Sequence, residues 1–376
     1  HWTNSMCNEI GQLFQGYKQI KGTDTCKFIR LSDIPKDRVP TYVRIVVADR
    51  PRKTEERRVR MTVGGDKVDY PGEVSTKTTD MITAKLLFND VVSTPNAMFM
   101  GMDIKDFYLG TNLPRKEYIR ISINLIPQAI IDQYNLMDFV HKGAVYAEVS
   151  KGMYGLPQAG QVASDALLPR LQSAGYTQAR HTAGLFTHAS NSVVFCLTVD
   201  DFGVRYTDKR DAEHLRDTLQ KDYTITEDWE GKNYCGLDLE WNYAEKWVDI
   251  SMDGYVTKAL QRFEHPKPIR PQHAPSKWTE PNYGAKVQLA DNDDTSELLQ
   301  PQGVKKIQEV VGTLLYYTRA VDNTMLVVLG TVASAMAKGT VKTTKAVTHL
   351  LNYCVMHPTA KVRFRASDMQ LSIHSD

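Results

Sequence analysis

The sequence predicts an α+β fold in which β-hairpins and short strands interleave with amphipathic helices and the chemistry-bearing residues sit at strand ends. Three stretches predict it. The β-forming runs Val193 to Leu197 and Phe202 to Tyr206 flank Thr198-Val199-Asp200-Asp201, a hairpin tip with two adjacent carboxylates. The apolar run Phe99-Met100-Gly101-Met102 ends on Asp103, with Asp106 shortly after it. Lys151 to Gly160 is rich in glycine and precedes Val162, Ala166, Leu167 and Leu171 at helical spacing. Such a turn opening a helix can bring amides to an anion, with Gln158 projecting from it as donor and acceptor.

Taken in order, residues 1–40 show no clear period. Tyr42 to Val47 and Val59 to Val63, with the turn Gly64-Gly65-Asp66, read as a hairpin, and residues 78–92 as a helix. Within 114–147, Tyr118 to Ile121 reads as a strand and 127–134 as a short helix. Helices are expected after Gln158 and over 211–222, on a sheet covered on one face. Pro266, Pro268, Pro271, Pro275 and Pro281 make 264–281 an extended linker. Val304, Ile307, Val311, Leu314 and Thr318 share one helical face, and Val347, Leu350, Leu351 and Cys354 another. Lys361 to Arg365 and Leu371 to Asp376 read as strands.

A length of 376 residues implies two to four subdomains, and 42% hydrophobic with 24% charged residues is the composition of a soluble globular chain. A net charge of +2 is too small to argue for nucleic acid. The basic run Arg44, Arg50, Arg52, Lys53, Arg57, Arg58 and Arg60, set against Asp49, Glu55 and Glu56, reads either as a phosphate-neutralising strip or as a solvated face. Cys7, Cys26, Cys196, Cys235 and Cys354 form no CxxC pair, which argues against a disulfide framework or zinc site and for a reducing compartment. The apolar stretch Met325 to Ala337 is too short to span a bilayer, and no signal peptide is visible at His1-Trp2-Thr3. No GxxxxGK[ST] loop is present, which disfavours a P-loop nucleotide-binding regulator.

Two like charges at a hairpin tip repel and resist desolvation unless a cation lies between them. Taken singly, the Asp pair, Asp103 and Asp106 read as ordinary turn and strand-end residues. Together, a strand ending on Asp103 beside a hairpin carrying Asp200 and Asp201 suits two Mg2+ ions about 4 Å apart, the arrangement for in-line phosphoryl displacement. Oxygen donors accept Mn2+ as well.

In combination and order these segments resemble the reverse transcriptases, most closely those of copia-type LTR retrotransposons. Asp103 with Tyr108 matches the family's first motif, Tyr154-Gly155-Leu156-Pro157-Gln158-Ala159 its "YGLxQA" turn, and Thr198 to Asp201 its "xVDD" hairpin. Arg58 to Val63 is similar to the basic fingers strand, Tyr234 to Glu240 to the primer-grip "FLGIE", and Val310 to Tyr316 to the thumb helix "VGSLLYL". The match covers about residues 40–376. The chain departs from the pattern at Thr198, where Tyr is common, and at Phe107, where a small residue is usual and a phenyl ring is expected to crowd the nucleotide pocket.

The resemblance implies a right-hand polymerase: an N-terminal extension at 1–40, fingers at 41–98 and 113–160, palm at 99–112 and 161–245, linker and helical thumb at 246–358, and the start of a truncated ribonuclease H-like domain at 359–376, with Asp376 in place of that domain's first catalytic Asp. No ribonuclease H activity is expected. Asp103, Asp200 and Asp201 would be catalytic and, with the carbonyl of Ile104, would hold two Mg2+ ions. Arg58 and Arg60 would reach the triphosphate, Gln158 the sugar, and Tyr108 would exclude a ribose 2′-hydroxyl. Lys232 is a candidate acid for pyrophosphate or else an exposed loop lysine, and Tyr234, Cys235 and Gly236 would form the primer grip. The implied partners are an RNA template, a DNA primer, the RNA/DNA hybrid, dNTPs, and the integrase and ribonuclease H of a transposable-element polyprotein of which this chain would be a piece. No membrane is expected; an intracellular site is, in a cytoplasmic virus-like particle or the nucleus. The competing readings are a domesticated nucleic-acid-binding scaffold without catalysis and a two-metal nuclease, which would need neither the aromatic gate nor the Gln158 turn.

Overall fold

The computed structural model describes residues 1–50, 55–278, 283–284, 294–370 and 372–374. Arg52, Lys53, Pro281 and Asp376 lie outside the described residues. The chain runs α1 (Trp2–Leu13), β1 (Cys26–Ile29), β2 (Thr41–Asp49), β3 (Arg57–Val63), α2 (Met81–Ser93), β4 (Met98–Ile104), β5 (Asn112–Ser122), α3 (Gln128–Gln133) and β6 (Ala144–Lys151). It continues through α4 (Ala159–Ser173), β7 (Tyr176–Gln178), β8 (Leu185–His188), β9 (Val194–Thr198), β10 (Asp201–Tyr206), α5 (Lys209–Gln220) and β11 (Ile225–Asp228). Then come β12 (Asn233–Tyr234), β13 (Leu237–Asn242), β14 (Trp247–Ser251), α6 (Tyr255–Arg262), α7 (Pro301–Ala320), α8 (Leu326–Ala335), α9 (Val341–Met356) and β15 (Val362–Arg365). This is mixed α+β content.

The strands form three sheets, ordered β1-β6-β5-β2-β3, β11-β4-β10-β9-β8-β7 and β12-β13-β14-β15. In the first, β3 alternates, burying Val59, Met61 and Val63 and turning Arg58, Arg60 and Thr62 to the other face. Met6, Cys7, Ile10 and Leu13 of α1, with Phe14 just after it, join the same core. Ser5 Oγ accepts from the Val59 amide and Glu9 Oε1 from the Met61 amide, each at 2.8 Å. Residues 1–40 are therefore built into the first sheet, and the packing has no break at residue 40.

The second sheet is covered on both faces, not the one expected. Met100, Met102 and Ile104 pack with Ala163, Leu167, Leu171, Leu215 and Leu219 of α4 and α5. Phe99 and Cys196 instead join α2, the third sheet and helices α6 to α9. The α4 face is Ala159, Ala163, Leu167 and Leu171, so Val162 and Ala166 are only half-buried. The expected faces of α7 and α9 are buried, Val304 partly. Residues 362–365, expected to open a further domain, are the outer strand on β14, where Arg363 donates to both Asp249 oxygens at 2.6 and 2.8 Å. Among the described residues no helix is long and apolar enough to cross a membrane.

Candidate active site

Strand register sets the centre of the site. On β4 and β10, Gly101 lies opposite Gly203 and, two residues on along the same face, Asp103 lies opposite Asp201. The glycine pair makes room for the β12–β13 hairpin: a Cβ on Gly203 would meet the Tyr234 ring at 2.8 Å, and one on Gly101 the Asn233 carbonyl at 3.0 Å. The hairpin's turn is thereby seated beside Asp201. Val199 and Asp200 link β9 to β10 in two residues, since Thr198 pairs with Asp201. Val199 is held at φ +62°, a conformation that a β-branched side chain resists. Strain of this kind persists where surrounding contacts over-determine the backbone. Here the Ile104 amide donates to the Asp200 carbonyl at 3.1 Å.

The electrostatics follow from this crowding. Burial, then the charges of Asp103 and Asp201, pushes the Asp200 carboxyl up to about 6, opposed in part by the Arg60 guanidinium. Burial and the Asp103 charge also raise Asp201, which the Cys235 thiol partly relieves. Among the described residues no three His, Cys, Asp or Glu side chains converge as a ready-made metal cage. The donor chemistry nonetheless fits Mg2+ or Mn2+: the three side chains offer only oxygen, and their mutual repulsion is what a cation would relieve.

Around this centre stand residues from the first sheet. The Arg60 guanidinium lies 4.4 Å from the Tyr154 ring centroid, and the Tyr154 ring meets Tyr108 edge-on at 5.3 Å. The buried Arg60 Nε has no hydrogen-bond partner among the described residues. Burial and the Asp200 charge raise the Tyr108 phenol. Arg58 Nε is 3.9 Å from Glu55 Oε2. The sequence assigned Tyr154 no role of its own; its signal was only its place in the glycine turn.

Three expectations change. Gln158 does not project from its turn: it is fully buried, and its Nε2 donates to Glu117 Oε1 at 3.1 Å. Glu117 also takes Arg38 and, at 3.1 Å, Arg115. Nor does the turn present its glycines to a ligand. A Cβ on Gly155 would sit 2.1 Å from the Val63 carbonyl, so this glycine, at φ +92°, serves close packing against β3. Phe107 is turned into the core of the second sheet, its ring 5.8 Å from Tyr108 and 6.2 Å from Tyr223. Lys232 takes the second of its two readings, an exposed loop lysine: it is ion-paired with Glu230 and lines a cleft with Met98, Trp241 and Tyr243, at the opposite end of β4 from Asp103.

The remaining candidates do gather. Tyr234 Oη bonds to Thr198 Oγ1 at 3.2 Å and to the Cys196 carbonyl at 3.3 Å, so an aromatic from the hairpin braces the position where Thr replaces Tyr. Cys235 Sγ lies 3.7 Å from Asp201 Oδ2, and burial pushes the thiol up to about 12. Gly236 completes the turn at φ +78°. Ile104 is buried with its amide on Asp200.

No protein-family model matches the chain. No curated protein matches it. Among solved structures it is similar to a foamy viral protease-reverse transcriptase dRH in complex with double-stranded DNA, at 10% identity and a TM-score of 0.40. That match covers 86% of this chain and 45% of the other, so the chain spans less than half the length of that structure.

Proposed function

We propose that the protein is a template-directed nucleotidyltransferase, an RNA-directed DNA polymerase of the copia-type retrotransposon class, with the first sheet as fingers, the second as palm and α7 to α9 as thumb. The observation that carries the reading is the cross-strand pairing of Asp103 with Asp201 next to Asp200 on a strained turn. Three crowded carboxylates are costly to fold and have a use if cations arrive with the substrate. Asp103, Asp200 and Asp201, with the Ile104 carbonyl, would hold two Mg2+ ions, which when bound supply charge neutralisation for phosphoryl transfer.

The chain's own residues do the rest. Arg60 binds triphosphate oxygens through its guanidinium, and Arg58 adds charge once released from Glu55. Tyr108, braced by Tyr154, limits the space at the sugar's 2′ position. The Cys235-Gly236 turn lies where a primer end would approach Asp201. The partners are then an RNA template, a DNA primer, their hybrid and dNTPs, with integrase and ribonuclease H as neighbours in a polyprotein.

The test is extension of a labelled DNA primer on an RNA template with dNTPs and Mg2+ or Mn2+, beside Asp200→Asn. Template-dependent extension that the substitution abolishes supports the reading. A folded protein that binds duplex but extends nothing with either metal points to the second reading, a nucleic-acid-binding scaffold.

A further inference from the structure

The turn that joins β12 to β13 holds both its residues at positive φ, +48° at Cys235 and +78° at Gly236, the combination a two-residue type I′ hairpin demands. Glycine takes that conformation freely, whereas cysteine takes it at a cost, so contacts hold the position. Two do so. Tyr316 Oη, on α7, donates to the Cys235 carbonyl at 2.5 Å. The Cys235 thiol donates to Asp201 Oδ2 at 3.7 Å.

A carboxylate can only accept, and a donor on one oxygen opposes its rotation. The hydroxyl on α7, the strained turn and the carboxylate thus make a continuous chain from the C-terminal helices to the hairpin tip. A cavity of about 390 Å3, lined by Thr79, Met81, Thr198, Leu315, Tyr316 and Arg319 among others, lies between this chain and the outer face of α7.

We propose that Cys235 is a positioning residue: its thiol orients the Asp201 carboxylate, and Tyr316 makes that orientation depend on where α7 sits. The inference rests on the reading of Asp201 as a metal-holding carboxylate. A helix displaced by a bound duplex would pull on the Cys235 carbonyl and move the donor with it. Metal binding at the carboxylates and the placement of α7 are then linked.

The test compares the wild type with Cys235→Ala, Cys235→Ser and Tyr316→Phe, reading Mn2+ binding by electron paramagnetic resonance and single-turnover primer extension as Mn2+ and dNTP are varied. Loss of an outer-shell donor lowers metal affinity about tenfold or more, and less for a weak S–H donor, so Cys235→Ala should raise half-saturating Mn2+ roughly fivefold in both readouts. Half-saturating dNTP should stay unchanged. Cys235→Ser, which keeps a donor, should return Mn2+ dependence to within about twofold of wild type, and Tyr316→Phe should shift it by about two- to threefold.

Wild-type Mn2+ dependence in Cys235→Ala, or a Ser variant no better than Ala, overturns the proposal. If Cys235→Ala loses its circular-dichroism signature, Tyr316→Phe decides, and wild-type Mn2+ dependence there overturns it. A wild type that binds Mn2+ with the Cys235 dependence but extends no primer sinks the polymerase reading and leaves the coupling standing. A wild type that binds no Mn2+ removes both.

Discussion

Asp103 and Asp201 face each other across β4 and β10 in direct register. Like charges directly opposite one another destabilise a sheet, so this pair sets function against stability at the centre of the molecule.

The conflict has a pH signature at Asp200, whose folded-state value is raised to about 6 by burial and by its two neighbours. Above that pH the carboxyl is ionised whether folded or not, and the folded state bears the penalty. As pH falls through about 6 the folded state takes up the proton first, and below the unfolded value, about 3.9, the penalty is gone. In metal-free buffer Asp200→Asn should therefore stabilise the protein by about 1–2 kcal/mol at pH 7.5, discounting for residual solvent, or roughly 1–3 °C in Tm. That gain should shrink steadily towards pH 5. A variant less stable than wild type at pH 7.5 would contradict the electrostatic account.

Tyr108 is fixed from behind by the edge-on Tyr154 ring. Tyr108→Ala should lower discrimination against ribonucleotides by roughly 10- to 100-fold while leaving deoxynucleotide turnover within a few-fold. Competing the two nucleotides on one template measures it, and unchanged discrimination would remove Tyr108 from the sugar.

Glu117 is a buried carboxylate that serves Arg38, Arg115 and Gln158. Removing it strands the Arg38 guanidinium and the Gln158 amide, while Arg115 keeps the Asp69 carbonyl. Glu117→Ala should cost about 3 kcal/mol in urea unfolding and Gln158→Ala about 1 kcal/mol. Neither should change half-saturating dNTP by more than about threefold. A large dNTP effect in Gln158→Ala without loss of stability would restore Gln158 to the substrate.

Lys232 bonds to Glu230 on the far side of the sheet centre. Lys232→Ala should extend primers within about twofold of the wild-type rate at every pH, because a group that does not reach the reacting atoms cannot supply their proton. A tenfold fall with a changed pH profile would place it at the pyrophosphate after all.

The carboxylates were legible because their signal is local: an apolar run ending on Asp103, and a hairpin whose turn is Val199-Asp200. Gln158 was not, because its partner Glu117 lies 41 residues away and no spacing announces the pair. Phe107 turns into the core after Asp106, whose φ of +55° no residue spacing announces. The both-sided covering of β4 was in fact visible, since four successive buried residues, Phe99 to Met102, are the mark of a strand buried on both faces. Helix α1 hid for the opposite reason. Its buried face includes Glu9 and Ser5, two polar residues that interrupt the apolar period.

Those two side chains have a consequence for how the edge of the first sheet meets other chains. β3 is the last strand of its sheet, and its outward amides at Val59 and Met61 would be open to any passing strand. Ser5 and Glu9 occupy them, so α1 acts as a cover over an exposed edge and denies it to edge-to-edge pairing. A chain begun after residue 40 would uncover that edge and the apolar face of β3 together. Aggregation, rather than loss of chemistry, would then be the first symptom of the missing helix.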